Sequence, residues 1–222
     1  MKLSWWKYAC IAIFIYVVIL GLLGEVPPQP IINESIRNLY FHVSIWFAMI
    51  VLMLVSLVHS VRALKNPSSD ADLKANMFAQ IGFFLSILGL TTGMLWAKYT
   101  WGAFWTNDVK LNGTAVSILI YLAYFVLRSA IEQPRKKAKL AAVYNIFAFT
   151  MLIVFVGVLP RITDSLHPGN GGNPGFGTYD LNNQMRLVFY PAVIGWILLG
   201  TWLVQLRVRA SKLQDVLWER ED

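Results

Sequence analysis

Six stretches of the chain are apolar and almost free of charge, and polar or turn-forming residues separate them. They run over Tyr8–Gly24, Leu39–Val61, Ala75–Ala97, Leu111–Leu127, Leu140–Pro160 and Leu187–Leu206. A helix needs ~20 apolar residues, range ~17–25, to cross a bilayer, and each run meets that length. The first run is longer than the apolar core of a signal peptide, and no clear A-x-A-type cleavage site follows it. It therefore reads as a helix. The pattern predicts an all-α, polytopic membrane protein with six transmembrane helices in a single domain over residues 1–222.

Composition agrees with the pattern. The chain has 222 residues, of which 57% are hydrophobic and only 14% charged. A soluble domain carries roughly 25% charged residues. The single cysteine, Cys10, lies in the first apolar run. One thiol makes neither an internal disulfide nor a CxxC or CxxCH motif, which excludes a thiol oxidoreductase and a c-type cytochrome.

Charge then sets the orientation. Fourteen of the 19 basic residues fall in the N-terminus, the connections 62–74 and 128–139, and the C-terminus. The alternate connections hold only Arg37, Lys98, Lys110, Arg161 and Arg186. By the positive-inside rule both termini are cytoplasmic, and the connections 25–38, 98–110 and 161–186 face outward. The outer bases are balanced by Glu25, Glu34, Asp108, Asp164 and Asp180, so the net charge of +7 lies inside. Positive charge placed there meets anionic lipid headgroups, which argues against nucleic acid as the partner.

The three histidines do not have equal prospects. His42 and His59 are predicted at opposite ends of the second helix, ~25 Å apart at ~1.5 Å per residue, so they cannot share a metal. His59 reads as a plain helix-end residue. His42 and His167 are predicted on the same outer side from different parts of the chain, and theirs is the plausible two-imidazole site. Zinc takes three or four protein ligands, and Asp108, Asp164 or Glu34 could complete such a set, although no tight metal spacing is present. Heme needs only two axial ligands, and histidine is a standard one. The outer side also offers rings for its faces, at Tyr40, Tyr99, Trp101, Phe104 and Trp105, and bases for its propionates.

Trp101, Phe104, Trp105 and Asp108 are spaced i, i+3, i+4, i+7, which puts them on one face of a helix. Gly102 and Ala103 keep the opposite side slim. The spacing predicts a short amphipathic aromatic segment on the outer surface. An interfacial aromatic belt is the competing explanation, and it accounts well for Trp96 and Tyr99. On physics alone the segment Trp101–Asp108 stays open between a belt and a ligand platform.

The run Trp101-Gly102-Ala103-Phe104-Trp105-Thr106-Asn107-Asp108 resembles the tryptophan-rich motif of heme-handling proteins, Trp-Gly-x-Trp-Trp-x-x-Asp. Glu34-Ser35-Ile36-Arg37-Asn38-Leu39-Tyr40-Phe41-His42-Val43 and Ser165-Leu166-His167-Pro168-Gly169 are similar to two further stretches of the CcmC family of cytochrome c maturation proteins. The resemblance covers nearly the whole chain. It implies that His42 and His167 are axial ligands of heme b, carried as transient cargo at the periplasmic face of a bacterial inner membrane. Trp101, Gly102, Phe104, Trp105 and Asp108 would form the platform, with Tyr40 and Arg37 nearby. It also implies a CcmE-like heme chaperone as acceptor, an ABC-type CcmAB-like complex and a small CcmD-like subunit, and no enzymatic step in this chain. Phe104 replaces a tryptophan of the motif, Asn107 stands where the resemblance implies another frequent aromatic, and Ser44 stands where a proline often follows His-Val. The glycine-rich run 169–177 reads as a flexible connector, or as a lid that yields when heme is collected.

Three other classes compete. A cytochrome c synthetase component shares the tryptophan motif but usually carries more spans and a second histidine pair. A b-type membrane cytochrome needs histidines paired within spans. An ABC permease subunit needs an ATPase-coupling element, and the short inner connections show no obvious one.

Overall fold

The computed structural model describes residues 4–27, 32–66, 68–169, 175–177 and 180–221, and among these the regular structure is helical. The elements in order are α1 (Trp5–Leu23), a 3₁₀ turn (Asn33–Tyr40), α2 (His42–Lys65), α3 (Ser69–Trp101), α4 (Val109–Ser129) and α5 (Pro134–Leu152). A π-helical turn (Ile153–Val158), α6 (Leu159–Ile162) and α7 (Asn183–Glu221) complete the chain. Six helical segments are long and apolar enough to cross a membrane: Trp5–Leu23, Glu34–Lys65, Asp70–Trp101, Val109–Ser129, Pro134–Ile162 and Asn183–Leu217. The six predicted apolar runs are all present as helix.

The helices outrun the apolar runs because charged residues also extend a helix beyond the lipid. Ser68 caps α3 by accepting from the Ala71 amide at 3.2 Å, and Asp70 and Asp72 occupy its first turn, where the helix dipole favours anions. So α3 starts six residues before Ala75. At its other end Gly102 takes φ +82, a left-handed conformation that stops a helix at little steric cost. Asp108 then starts α4 as its N-cap. Between these two punctuation marks the chain bends, so the predicted helical stripe over Trp101–Asp108 does not form. The spacing was helical, but Gly102 ended one helix and Asp108 opened the next.

α2 is the central helix. It packs along α3 and also meets α5, α7 and the 3₁₀ turn, whereas α1 packs on α7 and leaves Ile11, Ile15 and Ile19 on the outside. Lipid is as apolar as leucine, so close packing and internal hydrogen bonds must hold such a bundle. Met49, Leu52 and Met53 of α2 interlock with Leu85, Tyr121 and Leu152. Deeper, Asn145 of α5 donates to Ser56 and Ser60 of α2, both at 2.8 Å. At the basic end, Arg128 of α4 grips Asp72 of α3 at 2.7 Å, and Asp70 receives Lys74 and Lys212, both at 2.6 Å. These contacts tie α3 to α4 and α7 and leave the opposite end, where α2 begins and α3 stops, to carry the histidines.

Candidate functional site

His42 is the first residue of α2 and is only 9% exposed. Its ring lies edge-on between Trp46 and Trp96, with centroids at 6.3 and 5.9 Å. Its Nδ1 is 3.0 Å from the Thr92 hydroxyl of α3. That hydroxyl is also 3.0 Å from the carbonyls of Leu88 and Gly89, one turn back on its own helix. A threonine hydroxyl has one proton to give. With the proton on a helix carbonyl, its lone pair accepts the Nδ1–H of His42. The imidazole rests against Gly93, where an added Cβ would stand 2.6 Å from Cε1.

His167 comes from the connection before α7 and is built differently. Its side chain is 24% exposed and meets Trp101 edge-on at 5.0 Å. Its Nδ1 lies 2.9 Å from Oδ1 of Asp108. Asp108 is 3% exposed and collects five donors. Oδ1 accepts from the Lys110 and Leu111 amides at 3.0 and 3.1 Å, and from His167. Oδ2 accepts from the Ser165 hydroxyl at 2.8 Å and the Leu166 amide at 2.7 Å. Burial pushes the carboxyl up, but the bonds from His167, Ser165 and Leu166 outweigh it and hold Asp108 well below the usual carboxylate range. Burial pulls His167 below its ordinary 6.5, with Asp108 opposing and Lys110 assisting. A neutral ring donating Nδ1–H to a carboxylate leaves Nε2 as its free lone pair.

The two imidazoles lie within electrostatic reach of each other, and Lys110 lies within reach of both. His42, Trp101, Asp108 and His167 therefore share one end of the bundle. His59 does not join them; it stacks on Phe78 at 5.8 Å towards the other end of α2.

The remaining predicted residues take varied places. Trp105 is 43% exposed, and its indole N–H donates to Asn112 at 3.1 Å. The Asn112 amide in turn donates to Asn107 at 2.9 Å. Phe104 is 49% exposed and lies under the Lys98 ammonium at 5.8 Å. Gly102 offers its carbonyl to that same ammonium at 3.0 Å. Tyr40 is 2% exposed in an apolar cluster with Val17, Ile36 and Phe189, so its ring packs the fold. Arg37 pairs with Glu34 at 2.6 Å and donates to the carbonyls of Gly21 and Gly24, which stitches the 3₁₀ turn to the end of α1. Residues 170–174 of the glycine-rich run lie outside the described residues.

Sequence reasoning missed Thr92, Gly93 and Asn112. Thr92 and Gly93 carry no motif, and their only signal is a Thr-Gly pair late in an apolar run. Asp108 was found, but as part of a surface and not as the buried partner of His167. An aspartate directly before an apolar run is an N-cap signal that points to the observed role.

Chemically, the site offers two imidazoles that engage partners through Nδ1 and, among the described residues, show no Nε2 partner, beside Trp46, Trp96 and Trp101. Among the described residues no three His, Cys, Asp or Glu side chains gather as a metal cluster. A donor set of two nitrogens suits a metal whose other positions are filled by a macrocycle. Fold and site together define a polytopic helical membrane protein with an aromatic-walled, two-histidine site at one end.

The chain belongs to the heme exporter protein C family: the family model of that description, CcmC, matches residues 1–220. It is similar to the heme exporter protein C of Haemophilus influenzae, 26% identical over 219 residues that cover 91% of this chain and 83% of that protein. The Paracoccus denitrificans protein of the same name is 27% identical over 188 residues, covering 81% of this chain and 74% of the relative. The Bradyrhizobium diazoefficiens protein is 31% identical over 115 residues, which span 51% of this chain but only 43% of that protein.

Proposed function

We propose that this protein is a heme-handling component of cytochrome c maturation that holds heme b as cargo and delivers it to a CcmE-like chaperone. The observation that carries this reading is the pair of imidazoles at one end, each engaged at Nδ1 and, among the described residues, without a partner at Nε2. His42 and His167 would be the axial ligands. Trp101, Phe104 and Trp105 would cover the macrocycle. Lys110, which acts electrostatically on both histidines, is our candidate base for a propionate, while Arg37 and Lys98 already hold protein partners. Heme placed at the end of the bundle leaves an edge open to an acceptor, which suits delivery better than storage.

Membership of the heme exporter family supports the cargo. The distribution of basic residues supports a bacterial inner-membrane protein with cytoplasmic termini and the histidine end facing the periplasm. A CcmAB-like ATPase complex and a CcmD-like subunit are the further partners this family role implies, with the chain acting as one six-helix domain and not as an enzyme. The experiment is to purify the protein with its heme and record absorbance. His42→Ala and His167→Ala should each lower heme content and alter the spectrum. If both variants keep the parent spectrum and heme content, the ligand assignment is wrong.

A further inference from the structure

The two imidazoles share an orientation but not a partner. His167 gives its Nδ1–H to a buried carboxylate at 2.9 Å, whereas His42 meets only neutral acceptors, the Thr92 hydroxyl at 3.0 Å from Nδ1 and the Gly89 carbonyl. The partner of the distal nitrogen tunes a histidine ligand, because a negative acceptor pushes electron density through the ring and strengthens the donor at Nε2. A hydroxyl that already donates to Leu88 or Gly89 pushes far less. Asp108 is also fixed from the protein side by two α4 amides, Ser165 and the Leu166 amide, so it cannot turn away from His167.

We infer that Asp108 and Thr92 are positioning residues that present His167 and His42 through Nε2 with unequal donor strength, His167 the stronger. The inference rests on the reading of the site as a bis-histidine heme site. Its consequence is an order of release. The iron–nitrogen bond to His42 is the weaker and breaks first, with the electron pair returning to Nε2. An acceptor's ligand can then take the vacated position while His167 still holds the cargo. No proton or electron changes hands in that exchange.

Two measurements test this, one without heme. In the heme-free protein, ¹⁵N NMR of labelled histidine should show His42 and His167 protonated at Nδ1 and bare at Nε2. Thr92→Val should weaken the Nδ1–H preference of His42, leaving only the Gly89 carbonyl to accept from it, and Thr92→Ser should restore it. An Nε2–H tautomer at either ring in the parent protein overturns the inference. This arm stands whether or not heme is the cargo, so it fails separately from the functional reading. In the heme-loaded protein, Asp108→Asn should raise the midpoint potential more than Thr92→Val does, because the weakened donor no longer favours ferric iron. Loss of a hydrogen-bonding partner behind a metal-ligating histidine lowers affinity by ~10–100-fold, so Thr92→Val should loosen heme about tenfold, with Thr92→Ser restoring it. Added imidazole should displace His42 before His167, so the mixed adduct should match that of His42→Ala plus imidazole. Displacement of His167 first, or equal potential shifts in the two variants, overturns the inference. If Asp108→Asn does not fold, the Thr92 pair and the displacement order still decide it.

Discussion

His42 heads a helix and is almost covered by two tryptophans, a threonine and a glycine of the neighbouring helix, whereas His167 sits in a connection with a quarter of its side chain exposed and one carboxylate behind it. The first seat is made by helix packing. α2 and α3 share the most extensive interface in the bundle, so moving His42 means moving part of it. The second seat is made by hydrogen bonds to one residue, Asp108, which holds the connection and caps α4 together. The difference teaches that one imidazole is placed by the packing of two helices while the other is clipped in place by a single carboxylate. A protein that must load and release a flat ligand can use such a division, with the hydroxyl-backed His42 giving up the ligand first and the carboxylate-backed His167 keeping hold of it.

Removing the clip should have the largest effect. Asp108→Ala strips the α4 cap, worth about 1 kcal/mol, and leaves buried donors unpaired at about 1–3 kcal/mol each. A total loss on the order of 3 kcal/mol is expected, read as a lowered Tm in detergent, together with loss of heme. A Tm unchanged from the parent would show that the carboxylate does not hold the connection. Gly93→Ala should come next. Its Cβ would stand 2.6 Å from Cε1 of His42, and the ring cannot slide because Trp46, Trp96 and Thr92 hold it. The variant should fold with a Tm lowered by overpacking, worth about 1–3 kcal/mol, and lose the spectral signature of the His42 ligand while keeping that of His167. Loss of both signatures at once would mean the two seats are not independent.

The same contrast explains what the sequence could and could not disclose. The six spans were legible because charge-free runs of bilayer length have few other uses. His42 and His167 were legible as a pair because topology alone separates them from His59. Thr92 and Gly93 were not, since a span is full of small residues and only the register of α2 on α3, 50 positions away in sequence, gives these two a purpose. The i, i+3, i+4, i+7 spacing at Trp101–Asp108 misled because periodicity is blind to punctuation. One left-handed glycine and one capping aspartate outrank it. The π-helical turn Ile153–Val158 in the fifth span was equally invisible, because an extra residue per turn leaves the composition of an apolar run unchanged.

A smaller effect is expected at Asn107 and Asn112, which lie beside an exposed tryptophan. Asn107 accepts from Asn112, and Asn112 accepts the indole N–H of Trp105. The relay fixes the plane of an exposed tryptophan that would otherwise turn freely. Asn112→Ala should free Trp105, and Asn107→Ala should do so in part, since Asn112 keeps its other bond. A neutral hydrogen bond is worth about 1 kcal/mol, so a severalfold weakening of heme binding is the scale for Asn112→Ala. The Trp105 contribution to fluorescence anisotropy, taken as the difference between each protein and its Trp105→Phe counterpart, should fall in the same order. Equal anisotropy in all three proteins would remove the relay from the account.

The smallest effect is one of pH, and it again separates the two seats. The ring of His167 is held below its ordinary 6.5 by burial, with Lys110 adding to the shift, Asp108 opposing it and His42 facing it across the site. Between that lowered value and 6.5 the unfolded chain binds a proton that the folded chain refuses, so stability must fall as pH falls through this window. Above 6.5 the group contributes no slope. Asp108 acts in the same direction but lower, because its depressed carboxyl stabilises the fold above the ordinary 3.8 and the gain is lost only on further acidification. Heme-free protein should therefore lose Tm as pH falls from about 6.5 to about 5.5, and His167→Gln should flatten part of that slope. An identical slope in the two proteins would show that His167 takes up its proton without cost, and that the clip at Asp108 holds the charged ring as readily as the neutral one.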